Sequence, residues 1–238
     1  MARAAVRLRV LLRERDPREL LLLSWGVPFL LLTVSFEVRF PRYLLPLYPL
    51  LLLAAARLLA PPGKAGGALR AARGSVVGLS VAYLLAFLSI YARPHSVAAA
   101  SEWFHENAPP GASLLVTEWE EGFPLSLPGR PAGEHRVVAL PLYAPDGPEK
   151  SEALASALAD GDVLVFPTKR LYGAVTRAPG LYPDTDRLFR LLFAGDLGWR
   201  LEKTFASRPE LLGLRLPSEL ADESFSVYDH PKVVVFRN

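Results

Sequence analysis

The densest group of polar side chains in this 238-residue sequence directly follows a short apolar run, ASLLVT at 112–117. The group consists of Glu118, Trp119, Glu120 and Glu121. Ligands of α/β proteins usually bind where strands end, and neighbouring carboxylates can act as acid and base or hold a divalent cation. These residues are therefore candidates for binding an acceptor or another ligand. The alternative is a solvated acidic turn in which the tryptophan covers the core.

A second polar group stands between two long apolar runs. It contains Arg39, Arg42 and Tyr43, within the segment EVRFPRY. Guanidinium groups bind phosphate through two parallel hydrogen bonds, so this group suits the phosphate of a lipid-linked donor. Ordinary anchoring of Arg and Tyr among lipid headgroups is the other interpretation. The spacing leaves both open.

Several catalytic and metal-binding patterns do not occur in the sequence. It has no G-x-G-x-x-G, no Walker A motif, no H-E-x-x-H and no G-x-S-x-G. Because it has no cysteine, disulfides, thiolate catalysis and Cys-ligated metals are excluded. The four histidines share no metal-ligand spacing; they are His95, His105, His135 and His230. We therefore assign no catalytic residue, no metal ligand and no certain cofactor, with a divalent cation as the one candidate.

The elements that must position these groups begin with three apolar runs, at 20–36, 43–60 and 74–92. A spanning helix needs about 20 apolar residues, with a lower limit near 17. Each run is apolar on all faces, which disfavours the alternative of core helices in a soluble protein. The sequence therefore predicts a membrane part at 1–95 with three transmembrane helices, in a multi-pass protein of the inner (plasma) membrane.

Charge predicts the orientation of these helices. Before His95 there are 13 Lys and Arg against 4 Asp and Glu, a net +9, and from His95 onward 14 against 20, a net −6. Basic residues favour the cytoplasmic side, which places the N-terminus in the cytoplasm and 96–238 outside it. Leu and Val interleave with the N-terminal arginines without stacking aromatics, so we expect no nucleic-acid partner.

Residues 96–238 read as an extracytoplasmic α/β domain with a mixed sheet. Strands and helices alternate at first and a strand-rich tail follows, which is typical of layered α/β architecture. A domain of this size can bury its own core. Helices are predicted at 101–107, 148–159 and 184–194, and strands at 112–117, 136–142, 162–166, 199–206, 211–216, 225–228 and 233–237, with a turn at 229–232 joining the last pair.

The stretch FEVRFPRYLLPLYPLLLLAAARLL resembles the last membrane segments of bacterial polytopic glycosyltransferases of the protein-mannosyltransferase-like type. These are C-type enzymes that use polyprenyl-phosphate sugars. Three further segments resemble their carboxy-terminal end, in the same order: ASEWFHENAPPGASLLVTEWEEGFPLSLPG, LVFPTKRLYGAVTRAPGLYPDTDRLFRLLFAGDLGWRLEKTFAS and ADESFSVYDHPKVVVFRN. The resemblance extends over residues 18–238.

The resemblance implies lipid-phosphate contact by Arg39, Arg42 and Tyr43, which match an R-Y-x-x-P pattern. Residues 118–121 match the acidic and aromatic stretch of the outer domain. The family's catalytic acidic residues lie in an outer loop near the start of the full protein, upstream of anything present here. No residue of this chain therefore inherits the role of the base that activates an acceptor hydroxyl. Some relatives use a divalent cation.

We therefore expect an integral membrane protein that corresponds to the C-terminal portion of a glycosyltransferase. The full enzyme would move a sugar from a polyprenyl-phosphate donor to an extracytoplasmic acceptor, and this portion would be inactive alone because it lacks the catalytic loop. The expected partners are membrane lipid, the polyprenyl-phosphate sugar and a separately encoded N-terminal half. The alternative is a membrane-anchored extracytoplasmic binding or interaction module.

Overall fold

The computed structural model describes residues 17–36, 41–59, 66–118, 122–177, 179–218, 221 and 223–238. The chain divides into two compact units, Met1–Gly78 and Leu79–Asn238.

The first unit consists of apolar helices. Helix α1 covers Pro17–Ser35, a 3₁₀ helix covers Pro41–Leu47, and α2 covers Tyr48–Leu59. A Cβ atom placed on Gly26 of α1 would lie 2.7 Å from Cδ1 of Leu50 in α2. Glycine at position 26 therefore lets α1 and α2 approach closely.

The helix lengths do not support the prediction of three spans. Among the described residues, one helical stretch, within Gly67–Asn107, is long and apolar enough to cross a membrane, while Leu20–Ser35 is a shorter apolar helix. The predicted span at 43–60 is divided between the 3₁₀ helix and α2. Its two prolines explain the division, because Pro46 lacks an N–H and its ring clashes with the carbonyl four residues earlier, whereas Pro49 is tolerated in the first turn of α2.

The long apolar helix is α3, Gly67–Leu88, and it leads into the second unit. Only 11% of the most apolar window within Gly67–Asn107 is buried within the protein. A 3₁₀ turn follows at Ser89–Ala92, and α4 then covers Ser96–Asn107. Helix α4 begins five residues before the predicted position 101, because Nδ1 of His95 accepts a hydrogen bond from the Val97 N–H and caps the helix.

A five-stranded sheet forms the centre of the second unit, with the strand order β2-β1-β3-β7-β4. β2, β1 and β3 are parallel, and β7 is antiparallel to both β3 and β4. This confirms the predicted α/β domain with a mixed sheet. The strands are β1 Ser113–Thr117, β2 Arg136–Leu140, β3 Val163–Phe166, β4 Arg200–Phe205 and β7 Val233–Arg237; between β4 and β7, β5 Glu210–Leu211 pairs with β6 Leu214–Arg215 as a hairpin.

Helices cover both faces of this sheet, so the central strands are apolar on both sides. On one face Leu115 and Phe166 pack with residues from three helices between residues 148 and 194. On the other face Leu114 and Val165 pack with Phe104 of α4. The remaining helices are α5 Pro148–Asp160, α6 Arg170–Val175, α7 Pro183–Ala194 and the short α8 Glu223–Ser226, with a 3₁₀ turn at Ala132–Glu134.

Three predictions for the tail were wrong, and α6 was not predicted. The segment 211–216 is not one strand, because Leu212 and Gly213 have positive φ and turn the chain back on itself. The segment 225–228 overlaps α8 instead of forming a strand, since the place beside β7 is occupied by β4. Residues 229–232 consequently do not join two paired strands; they lead from α8 into β7.

Candidate functional site

Of the predicted lipid-phosphate group, Arg42 and Tyr43 lie side by side in the 3₁₀ helix, and Arg39 lies outside the described residues. The Arg42 guanidinium carbon is 5.9 Å from the centre of the Tyr43 ring. Phe36 contacts the same ring edge-to-face, with centroids 6.0 Å apart. The aromatic contacts therefore hold the tyrosine half-buried beside an exposed arginine, which is an arrangement suited to a lipid headgroup.

An apolar groove of about 540 Å³ lies between α1 and α2 in the same unit. Leu47, at the end of the 3₁₀ helix, forms part of its wall and is 6% exposed. Arg42 precedes Leu47 by five residues, which corresponds to about 10 Å along a 3₁₀ helix. The other lining residues are Leu22, Leu23, Gly26, Val27, Leu30, Leu50, Leu51, Leu53, Ala54 and Arg57.

Of the predicted acceptor-binding group, Glu118 is described and is half-buried, directly after β1. Trp119, Glu120 and Glu121 lie outside the described residues. Because β1, β2 and β3 are parallel, Glu118 lies at the edge of the sheet where all three strands end. That edge is where ligands of α/β sheets usually bind.

The loop after β3 brings basic side chains to this edge. The Arg170 Nε atom lies 3.1 Å from a carboxylate oxygen of Glu223 in α8, and the Lys169 ammonium donates to the Ala221 carbonyl at 2.9 Å. Thr168 is buried, and its hydroxyl accepts a hydrogen bond from the Arg170 N–H. These contacts hold the segment around α8 against the carboxyl ends of the parallel strands.

The loop after β2 carries a buried polar network at the same edge. Oδ1 of Asp146 lies 3.0 Å from the Lys150 ammonium, and Oδ2 accepts the backbone N–H groups of Asp184 and Thr185 at 2.8 and 3.2 Å. The carboxylate therefore caps the N-terminus of α7 from a different element, where the helix dipole favours negative charge. This network was not predicted from the sequence.

Lys150 is 6% exposed, and its ammonium is fully engaged. Besides Asp146 it lies within hydrogen-bond distance of the Leu142 and Ala144 carbonyls, at 3.1 and 2.7 Å, and of the Thr185 hydroxyl, at 2.7 Å. An ammonium has three donors, so these acceptors exhaust them. The side chain therefore fixes the 142–146 loop.

The electrostatics of Asp146 follow from these contacts. Burial raises the pKa of its carboxyl group, but hydrogen bonds from the Thr185 hydroxyl, Lys150 and the two backbone N–H groups lower it, with a net pKa of about 2. The group is therefore ionised at neutral pH, and it acts as a permanent charge partner for Lys150 and α7.

A groove of about 720 Å³ begins at this network and runs between α5 and α7. Leu154, Leu158 and Leu188 supply apolar walls, and Trp199 is 2% exposed at its base. Asp184 and Arg187 place charges at its rim. A mostly apolar groove with a few polar groups at one end is the usual form of a ligand site.

The four histidines do not meet as a metal site. His105 and His135 come nearest, with ring centroids 6.1 Å apart beside Phe104. His230 is 3% exposed, and neither of its ring nitrogens has a hydrogen-bond partner among the described residues. Burial lowers the pKa of His230, and nearby Asp229 raises it less strongly. Among the described residues no group of three or more His, Asp or Glu is placed to hold a metal ion.

The sequence contains one signal for the missed network. Asp146 and Lys150 are spaced i, i+4 around Pro148, which starts α5. Such spacing usually indicates an exposed pair on a helix, and nothing in the sequence shows that the loop is buried. Only the packing of α7 against α5 turns this pair into the end wall of a groove.

The chain was compared with protein-family models, with curated proteins and with solved structures, and none of the three comparisons finds a match.

Proposed function

We propose that this chain is a membrane-anchored portion of a glycosyltransferase that uses a polyprenyl-phosphate sugar, and that it does not transfer sugar alone. Its residues would hold the lipid-linked donor and support an outer domain, while a separately encoded half supplies the acidic base. The family part of this proposal rests on the resemblance described above.

The observation that carries the proposal is the arrangement of the 3₁₀ helix Pro41–Leu47. Its first residues place Arg42 beside Tyr43, and its last residue forms the wall of an apolar groove. A polyprenyl phosphate has the matching chemistry, with an anionic head and a long apolar chain. The guanidinium would bind the phosphate, and the groove between α1 and α2 would hold part of the chain.

Donor binding can be tested with the full chain in lipid nanodiscs and a fluorescent polyprenyl phosphate. Arg42→Ala should weaken binding about tenfold, the loss expected for one charge-assisted phosphate contact, and Arg42→Lys should weaken it less. Ala54→Trp, which fills the groove, should also weaken binding. Leu52→Trp on the same helix lies outside the groove wall and is the matched control. If all four variants bind the fluorescent polyprenyl phosphate as tightly as the unmodified chain does, the proposal is contradicted.

Sugar transfer is tested separately. The purified chain should not release polyprenyl phosphate from a polyprenyl-phosphate sugar, and co-expression with a protein that carries the early acidic loop should restore transfer. Transfer by the chain alone that is abolished by Glu120→Gln or Arg42→Ala would refute the inactive-portion proposal.

The anchor itself is supported by exposed apolar surface on α3. Leu79 is 72% and Leu84 53% exposed, where a soluble helix would carry polar residues. Two arginines in a spanning helix cost about 2.5–3.5 kcal/mol each, so Leu79→Arg with Leu84→Arg should shift the chain out of alkali-washed membranes. Val137→Arg with Leu201→Arg, on exposed positions of the two edge strands, should not.

The three-span topology remains part of the proposal. It rests on the apolar composition of the 3₁₀ helix and α2, which together contain 19 residues. With the N-terminus in the cytoplasm of a plasma-membrane protein, 96–238 would then lie outside. Leu201→Cys in this cysteine-free chain should react with an impermeant maleimide from outside intact cells. If the cysteine reacts only after the cells are opened, residues 96–238 lie in the cytoplasm and the proposed orientation is wrong.

The groove between α5 and α7 favours a second candidate, a membrane-anchored binding module. Ala155 lines that groove and Glu152 of the same helix does not. Soluble envelope oligosaccharides can be titrated against the full chain in nanodiscs and followed by saturation-transfer NMR. If the saturation-transfer signals of the oligosaccharide are lost in Ala155→Trp and kept in Glu152→Trp, the result favours the membrane-anchored binding module. If the signals are unchanged in both variants, the oligosaccharides do not bind in the groove between α5 and α7.

A further inference from the structure

The hairpin of β5 and β6 exposes apolar side chains at its tip. Leu212 is 99% exposed and Leu214 is 68% exposed. Among the described residues, Leu212 is the one non-glycine residue with a positive φ, 52°, and Gly213 follows with 85°. Asn or Asp is usual at the first of two such positions, because a leucine is strained there. A strained leucine that stays fully in water has no structural reason within the domain, which points to a function outside it.

The base of the hairpin is fastened to the residues that follow α3. The Glu210 N–H donates to the Ser89 hydroxyl at 2.9 Å. The Glu210 carboxylate accepts hydrogen bonds from the guanidinium groups of Arg93 and, at 3.1 Å, Arg215. Since Ser89 directly follows the last residue of α3, the base of the hairpin lies where the long apolar helix ends.

The side chains around this base are those that favour a membrane interface. Tyr91 and Tyr228 are 59% and 58% exposed, and the Tyr91 hydroxyl donates to Asp229 at 2.6 Å. The Arg215 side chain is 66% exposed. Tyr and Arg are enriched at the depth of lipid headgroups, and leucines are enriched on surfaces that enter the acyl boundary. The hairpin and its surroundings combine both classes.

We infer that Leu212 and Leu214 insert into the headgroup–acyl boundary of the membrane that α3 enters, so that the hairpin is a second, shallow anchor for the outer domain. The inference rests on the proposed membrane insertion of α3. Transfer of the two leucines from water to lipid offsets the backbone strain at Leu212. With two attachment points on one side, the domain would keep a fixed tilt relative to the bilayer.

Depth measurements on the full chain test this inference. Leu212→Cys is labelled with an environment-sensitive dye, and the chain is reconstituted into vesicles of phosphatidylcholine and phosphatidylglycerol. We expect quenching by lipids spin-labelled near the headgroup, at a depth of about 5–10 Å, and several-fold weaker quenching by aqueous iodide than for Leu201→Cys. Leu201 is 51% exposed near the start of β4, whereas the hairpin follows the end of β4, and Leu201 is the matched control.

The outcomes distinguish membrane insertion of the hairpin from membrane insertion of α3. Flotation of the same sample with vesicles reports insertion of α3, so failure to float would refute the proposed membrane function. A floated sample whose probe at 212 is as accessible to iodide as the probe at 201 would overturn the hairpin inference alone. Leu214→Cys is a second probe in case Leu212→Cys misfolds, and adding Leu212→Asp should make that second probe accessible to iodide.

Discussion

The carboxylate of Asp146 and the ammonium of Lys150 lie 3.0 Å apart, with 10% and 5% of their side chains exposed. The same carboxylate caps α7, and the same ammonium holds the carbonyls of the loop after β2. One buried ion pair therefore joins the loop after β2, α5 and α7 at the end of the groove between α5 and α7.

Removing the cation should be strongly destabilising. Lys150→Met leaves the Asp146 carboxylate buried without its charge partner, which typically costs about 3–5 kcal/mol. Arg190→Met is the matched control, because Arg190 and Asp186 form another i, i+4 pair at 2.7 Å in which the arginine is 65% exposed. That variant should lose at most about 1 kcal/mol. The free energy of unfolding of the detergent-solubilised chain in urea measures both, and equal losses would contradict a buried role for Lys150.

Acid should weaken the cap of α7 through Asp146. Because the folded pKa of about 2 is lower than the unfolded value, the ionised carboxylate stabilises the fold above pH 4, and this stabilisation is lost as pH falls from about 4 toward 2. Asp146→Asn should be less stable at neutral pH and should show a shallower loss of stability in that range. The urea midpoint at pH 6, 4 and 3 is the measurement, and parallel curves for the two proteins would show that Asp146 does not titrate as described.

His230 should make the fold sensitive to mild acid. Its ring lies 5.3 Å from Phe225 and 5.9 Å from Phe87, centroid to centroid. Burial and the positive charges of Lys169 and His95 lower the pKa of His230, against the opposing effect of Asp229. The unfolded chain therefore binds the proton more readily, and stability should fall as pH decreases below about 6.5.

The variant His230→Phe tests this sensitivity. Phenylalanine suits the aromatic surroundings and does not titrate, so the thermal midpoint should change less between pH 7 and pH 5 than in the natural protein. His105→Phe, whose parent ring is half-buried and bonded to the Leu125 carbonyl at 3.1 Å, is the comparison. If His105→Phe flattens the profile and His230→Phe does not, the assignment to His230 is wrong.

Gly161 is the second position at which close packing requires glycine. A Cβ atom there would lie 2.6 Å from Cδ1 of Leu115, which is 1% exposed, and 3.1 Å from the Ala157 carbonyl oxygen. Gly161→Ala should therefore destabilise the domain by about 1–3 kcal/mol, the usual cost of overpacking. Gly147→Ala, with no atom within 4 Å of its Cβ position, should be near neutral. Thermal unfolding of both variants distinguishes them.

The sequence predicted the five-stranded sheet well where the pattern was local. Strands such as 112–117 and 233–237 and the helix at 184–194 agree with the structure within one residue, because continuous apolar runs and an N-terminal proline indicate them directly. The neighbours of β7 could not be predicted, since strand order depends on contacts that are distant in sequence. The same limit explains the strand wrongly predicted at 225–228.

The candidate sites were predictable only in part. Arg42 and Tyr43 were candidates from their residue types, and their side chains contact each other in the structure. Their binding of a lipid phosphate stays a prediction. The Asp146–Lys150 pair has an ordinary sequence signature, so its burial follows only from the packing of α7. The strain at Leu212 was equally hidden, because the leucine-rich segment 211–216 favours a strand and the positive φ is visible only in three dimensions.

The position of β7 between β3 and β4 sets the order in which the sheet of the second unit can be completed. β4 joins the main sheet only through β7, and 66 residues separate Phe166 at the end of β3 from Val233 at the start of β7. Because a chain is synthesised from its amino-terminal end, β3 and β4 have open edges until β7, the last strand, is made. The time between the synthesis of β3 and that of β7 is therefore when these edges are most exposed to aggregation or to a chaperone.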